Sequence, residues 1–119
     1  MGRLIHFEIP TDNAERSMEF YKNIFGWTFQ NWGNSDYWLA DTGNKDDPGI
    51  NGAITRRQEN IQNVVNTILV SDIEKTIPAI NNNGGIVLTP VMDIPNIGKF
   101  LYFKDPDGNI LGALQAAMN

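Results

Sequence analysis

The 119-residue chain contains no cysteine and a single histidine, His6. The first absence excludes disulfides, thiolate nucleophiles and sulfur-ligated zinc together. The second leaves one imidazole to serve as base, and Ser17, Ser35 and Ser71, at helix, loop and cap positions, show no sign of activation, so no familiar nucleophilic triad is read here. Basic residues are scarce as well: nine Lys and Arg stand against fourteen Asp and Glu, a net charge of -5. That balance repels phosphate backbones, so neither nucleic acid nor an anionic membrane surface is an expected partner. No Gly-rich phosphate loop is present. Apolar runs are only a few residues long and the first residues lack a signal-peptide core, so a protein without membrane spans, residing in the cytoplasm, is expected.

What is present suffices for one hydrophobic core, since 41% of the residues are apolar. An internal repeat is the next signal. Thr11-Asp12-Asn13-Ala14-Glu15 and Ser71-Asp72-Ile73-Glu74 both read as helix starts, with Asp12 and Ser71 as caps and a glutamate three positions on. The aspartates are 60 residues apart, and the same offset lays Ile50-Asn51-Gly52-Ala53-Ile54 on Ile110-Leu111-Gly112-Ala113-Leu114. Two β-α-β-β-β modules follow, about 3–57 and 63–117, within a single domain.

In the first module, strands are expected at Arg3 to Ile9, Trp27 to Trp32, Asp36 to Asp41 and Ile50 to Arg57. A helix runs from Asn13 to Phe25, its Ala14, Met18, Tyr21 and Phe25 forming one stripe. The second module repeats this with strands at Val64 to Val70, Ile86 to Met92, Lys99 to Lys104 and Asn109 to Gln115, and a helix from Asp72 to Asn83 that Pro78 should kink or delay. Arg56 to Asn63 is the polar linker, and Thr42 to Gly49, rich in Gly, Asn, Asp and Pro, is a charged rim loop. Asp105-Pro106-Asp107-Gly108 makes the last turn.

These elements, with Phe20-Tyr21-Lys22-Asn23-Ile24-Phe25-Gly26-Trp27 and the ending Gly98 to Asn109, resemble the vicinal oxygen chelate superfamily: glyoxalase I, bleomycin-resistance proteins and extradiol dioxygenases. The resemblance covers nearly the whole chain. It implies an α+β fold in which the two modules form one curled mixed sheet, a cup with the helices outside, and a homodimer. Metal-using members of the family place His or Glu on the first and last strands of each module. Carried onto this chain, those positions are His6, Gly52, Asn66 and Gly112. Glycine offers no side-chain ligand and an amide oxygen is a poor one for transition metals. The reading is therefore no metal and no cofactor, against glyoxalase or ring-cleaving chemistry, which need the metal as Lewis acid.

His6 and Glu8 are two apart on a strand and so share a face, with Ile5, Phe7 and Ile9 on the other. A carboxylate there orients an imidazole or raises its pKa, although a histidine bonded only to a neighbour is the plainer reading. Asn66 adds an amide, Trp38 and Phe100 are aromatic candidates for core or cup wall, and Gly52 and Gly112 leave space or allow backbones to approach closely. The expected ligand-binding set is His6, Glu8, Trp38, Gly52, Asn66, Phe100 and Gly112. It would hold a small, polar or cationic organic molecule without metal, in the manner of the antibiotic-sequestering members. The rival is a lyase or isomerase of the glyoxalase type, using His6 and Glu8 as acid and base or a recruited metal.

Overall fold

The computed structural model describes residues 2–61 and 63–118. They form two compact units, one of residues 6–65 and one of residues 2–5 with 66–118. The linker expected at Arg56 to Asn63 includes Gln62, which lies outside the described residues. Its neighbours Gln58 and Ile61 close a small bridge.

In the 6–65 unit the chain runs through β1 (Leu4–Thr11), α1 (Ala14–Phe25), β2 (Thr28–Asn31), β3 (Tyr37–Asp41) and β4 (Gly52–Arg56). The strand order is β2-β3-β4-β1, antiparallel except for the parallel pair of β1 with β4. Helix α1 starts where Asn13 turns extended, φ -147° and ψ 98°, and its side chain accepts from the Arg16 N–H. It stops at Gly26, whose φ of 74° suits a residue without Cβ. Tyr21 of α1 stacks on Trp27 with centroids 4.7 Å apart, and Trp27 meets Phe7 of β1 at 5.6 Å. The Phe7 side of this sheet is thus the helix side.

The other unit comprises β5 (Val65–Leu69), α2 (Ile73–Asn82), β6 (Ile86–Val87), β7 (Met92–Ile94), β8 (Gly98–Lys104) and β9 (Ile110–Ala116). Strand β9 lies between β5, parallel to it, and β8, antiparallel; β6 and β7 both pair with β8. Ile73 of α2 is fully buried against Leu101 and Ala113, with Ile77, Ile80, Val87 and Phe103 around them. Fully burying such a side chain is worth about 1.5–3 kcal/mol. The Leu101 and Ala113 side of the sheet is therefore the helix side here.

Two expectations need correction. The strand expected over Ile86 to Met92 is two short strands, because Pro90 has no N–H for the ladder and restricts Thr89 before it. The Thr89 hydroxyl accepts from the Tyr102 N–H where the pairing lapses. The helix caps are Asn13 and Asp72, not Asp12 and Ser71. Both caps have φ -147°, and they stand 59 residues apart. Strand register gives the same number: Glu8 pairs with Ala53, Ile9 with Ile54 and Pro10 with Thr55, while Thr67 pairs with Gly112, Ile68 with Ala113 and Leu69 with Leu114. Each residue of the second set follows its counterpart by 59. The repeat is real in backbone and shifted by one from its reading in sequence. Pro78 does not delay α2, which starts at Ile73 and runs through it to Asn82.

Candidate functional site

An offset of 59 instead of 60 reverses strand parity, and with it the face that a carried-over residue occupies. In the 6–65 unit Glu8 is level with Ala53, and Ala53 with Leu39, so His6 and Glu8 share the helix-free face with these residues. Gly52 belongs to the opposite face. A Cβ built on it would lie 2.5 Å from the Phe7 carbonyl oxygen and 2.6 Å from the Phe7 ring, on the helix side. Trp38 pairs with Ile54, one residue on from Ala53, and so is also turned to the helix side. In the other unit Thr67 is level with Gly112, and Gly112 with Tyr102, on the face away from α2. Phe100 shares that face by parity, and its ring stands over Gly112. Asn66 has the parity of Ile68, which pairs with Ala113 on the α2 side. The expectation that Gly52 and Asn66 look the same way as His6 and Gly112 respectively is thus corrected. The cause is the one-residue slip in the repeat.

What the helix-free face of the 6–65 unit does assemble is a hydrogen-bonded pair. His6 Nε2 lies 2.7 Å from the Tyr37 hydroxyl, joining β1 to β3 across β4, and the two ring planes are within 12° of each other. Burial pushes the His6 imidazole below its ordinary value of 6.5, against the opposing pull of the Glu8 charge. At neutral pH the ring is therefore uncharged, with one nitrogen a donor and the other an acceptor. With its proton on Nδ1, Nε2 accepts from the tyrosine hydroxyl; with its proton on Nε2, it donates and frees the phenolic proton for another acceptor. Such a pair can hold or pass one proton, and Glu8 contributes a negative charge beside it. Tyr37 was visible in sequence only as a strand aromatic. Its role follows from β3 and β4 pairing, which sequence spacing does not reveal.

The same unit contains a cleft of about 490 Å³ in the β3–β4 loop, walled by Thr42, Asn44, Lys45, Asp47 and Asn51. Asn51 Oδ1 accepts from the Thr42 N–H at 2.9 Å, tying the two ends of the loop together. The rim loop thus has a shape of its own.

The chelate that the family resemblance would imply does not fit these residues. Among the described residues no three His, Cys, Asp or Glu side chains converge. With the register-true offset the positions equivalent to His6 and Gly112 are Val65 and Ala53, neither of which can ligate.

Comparison with known proteins agrees with the fold. The profile of the bleomycin resistance protein-like N-terminal family matches residues 3–37. A glyoxylase-like domain-containing protein of Didymella fabae is 30% identical over 114 residues, which cover 91% of this chain and 89% of that protein. The chain belongs to the glyoxalase-like family. Within the same superfamily, the glyoxylase-named CFP32 of Mycobacterium bovis is 25% identical, matched over 92% of this chain, which spans 44% of its length. A solved structure of Streptomyces coelicolor methylmalonyl-CoA epimerase, in complex with 2-nitronate-propionyl-CoA, superposes with a TM-score of 0.69 over 99% of both chains at 14% identity. At that identity the likeness establishes the fold, α+β of the vicinal oxygen chelate type, and function has to be argued from the site.

Proposed function

We propose that this glyoxalase-like protein binds a small organic molecule without a metal, with the His6–Tyr37 pair as the polar anchor. The observation that carries the reading is the 2.7 Å contact between a half-buried, uncharged imidazole and a phenol on a helix-free sheet face. A few fixed polar groups on a partly apolar wall are the usual form of a small-molecule site. Charge narrows the ligand. Residues 6–65 hold nine of the fourteen acidic side chains and five of the nine basic ones, so this unit carries most of the net negative charge. A cationic or neutral polar molecule suits it better than a phosphate-bearing ester of the kind seen with the epimerase.

Native mass spectrometry on protein purified without an affinity tag tests the reading. The expected result is an organic mass that leaves on denaturation, and weaker retention in His6→Ala and Tyr37→Phe at unchanged folding. Stoichiometric nickel, zinc or iron, lost on His6→Ala, would overturn it. The same His6, with Glu8 beside it, also supports a second reading, a lyase or isomerase moving a proton between adjacent carbons. In that case the recovered ligand turns over in solvent deuterium oxide with isotope incorporation, and His6→Ala abolishes the exchange.

A further inference from the structure

The unit of residues 66–118 keeps one buried hydroxyl that its own fold does not satisfy. Thr67 is 2% exposed, and its Oγ1 has no hydrogen-bond partner among the described residues. Interiors seldom keep such a group, because burial strips its water and returns nothing. Its surroundings are specific. Register places Thr67 beside Gly112 and Gly112 beside Tyr102. A Cβ at Gly112 would lie 2.6 Å from the Phe100 ring and 2.9 Å from Thr67 Oγ1, so the ring covers a bare stretch of backbone next to the hydroxyl. Phe100 meets Tyr102 edge-on, with centroids 4.7 Å apart at 87°. At 9% exposure it is the most accessible residue of the buried hydrophobic set.

We infer that the Phe100 ring fills, and on turning aside opens, a binding slot for a small uncharged ring that carries one hydroxyl or carbonyl. Gly112 is the floor of the slot, Thr67 Oγ1 its polar anchor and Tyr102 one wall. Each part of the ligand class follows from a part of the site. The missing Cβ leaves a flat floor on which a phenyl ring already rests, which selects a planar ring. One hydroxyl, able to donate or accept, selects one polar substituent. None of these groups carries a charge to pair with an ionised ligand, and burying an unpaired charge is prohibitive. Phe100 occupies the slot with a ring of the right shape that lacks the polar group, which is why Oγ1 is left orphaned while it does so. The site shares no residue with the His6 group, so the two proposals stand or fall separately.

Phenol, with benzene as its apolar control, is the probe. In the full chain, phenol is expected to shift the amide resonances of Thr67 and Gly112 and the ring signals of Phe100. It should bind about tenfold tighter than benzene, the effect of one added hydrogen bond in a buried site. Thr67→Val keeps the side-chain shape and removes the hydroxyl, and should abolish that preference while benzene binds as before. Phe100→Ala should tighten phenol binding, because no ring has to be displaced; Phe100→Leu serves the same purpose if the alanine form does not fold. Absence of shifts at Thr67 and Gly112, equal affinities for phenol and benzene, or a preference that survives Thr67→Val would each overturn the inference.

Discussion

At the scale of single residues, His6 couples the candidate site to pH. Its imidazole is held below the ordinary 6.5 chiefly by burial. Above 6.5 the ring is neutral both folded and unfolded, and contributes nothing to the pH dependence of stability. As pH falls through 6.5 the unfolded chain takes up a proton that the folded protein resists, so folding loses stability down to the folded-state value and levels off below it. Melting temperature should therefore decline as pH falls below the ordinary imidazole value of 6.5, and the decline should be absent in His6→Gln. A wild-type profile that is flat through that range would mean the imidazole is not desolvated. Asp105 marks the acid end. Its carboxylate accepts from the side chain and backbone of Asn109 and from the Asp107 N–H, which holds it below 3.8. That stabilisation is present above 3.8 and lost as pH falls further, so Asp105→Asn should lower the melting temperature by a constant amount at neutral pH and converge on wild type only at the most acidic end of the curve.

At the scale of elements, the helix starts decide how the sequence is read. Asn13→Ala removes the acceptor of the Arg16 N–H and should cost about 1 kcal/mol in chemical denaturation. Asp12→Ala should cost less, since Asp12 is 72% exposed and only pairs with Arg57. Gly52→Ala should be worse than either, about 1–3 kcal/mol, because its Cβ would meet the Phe7 backbone and not merely a side chain that can swing away. Equal melting temperatures for Asp12→Ala and Asn13→Ala would contradict the cap assignment. Most elements were legible in sequence: helical stripes, Gly26 after α1, the Asp105 to Gly108 turn and the duplication itself all describe local chemistry. The site was legible in part. His6, Glu8, Phe100 and Gly112 lie on helix-free faces, while Gly52 and Asn66 were turned the wrong way by a repeat aligned on two aspartates of which only Asp72 is a cap, and Trp38, open between core and cup wall, lies on the helix side. Period-2 geometry turns one residue of misalignment into a full reversal. The roles of Tyr37 and of the orphaned Thr67 were not legible, since both are defined by strand partners some thirty to forty-five residues away.

At the scale of the whole molecule, the feature with the widest consequence is the matched pair of parallel registers. Glu8 and Ala53 are 45 residues apart in the chain, and so are Thr67 and Gly112. Each parallel pair therefore closes a long loop of chain before its hydrogen bonds and side-chain contacts can compensate the lost entropy. Kinetics should show it: folding should fall in the milliseconds-to-seconds range of chains dominated by non-local pairings, well short of helical-bundle speed. The protein carries its own clock for this, because Trp27, Trp32 and Trp38 all fall within residues 6–65. Stopped-flow tryptophan fluorescence reads the closure of the first loop alone, while the hydrogen-exchange protection of the Thr67 and Gly112 amides times the second. Two equal loops predict similar rate constants from the two probes. A Gly-Ser insertion between Asn44 and Asp47 should slow only the tryptophan-detected phase, and weakly, because even doubling a loop costs only about 0.6 kcal/mol.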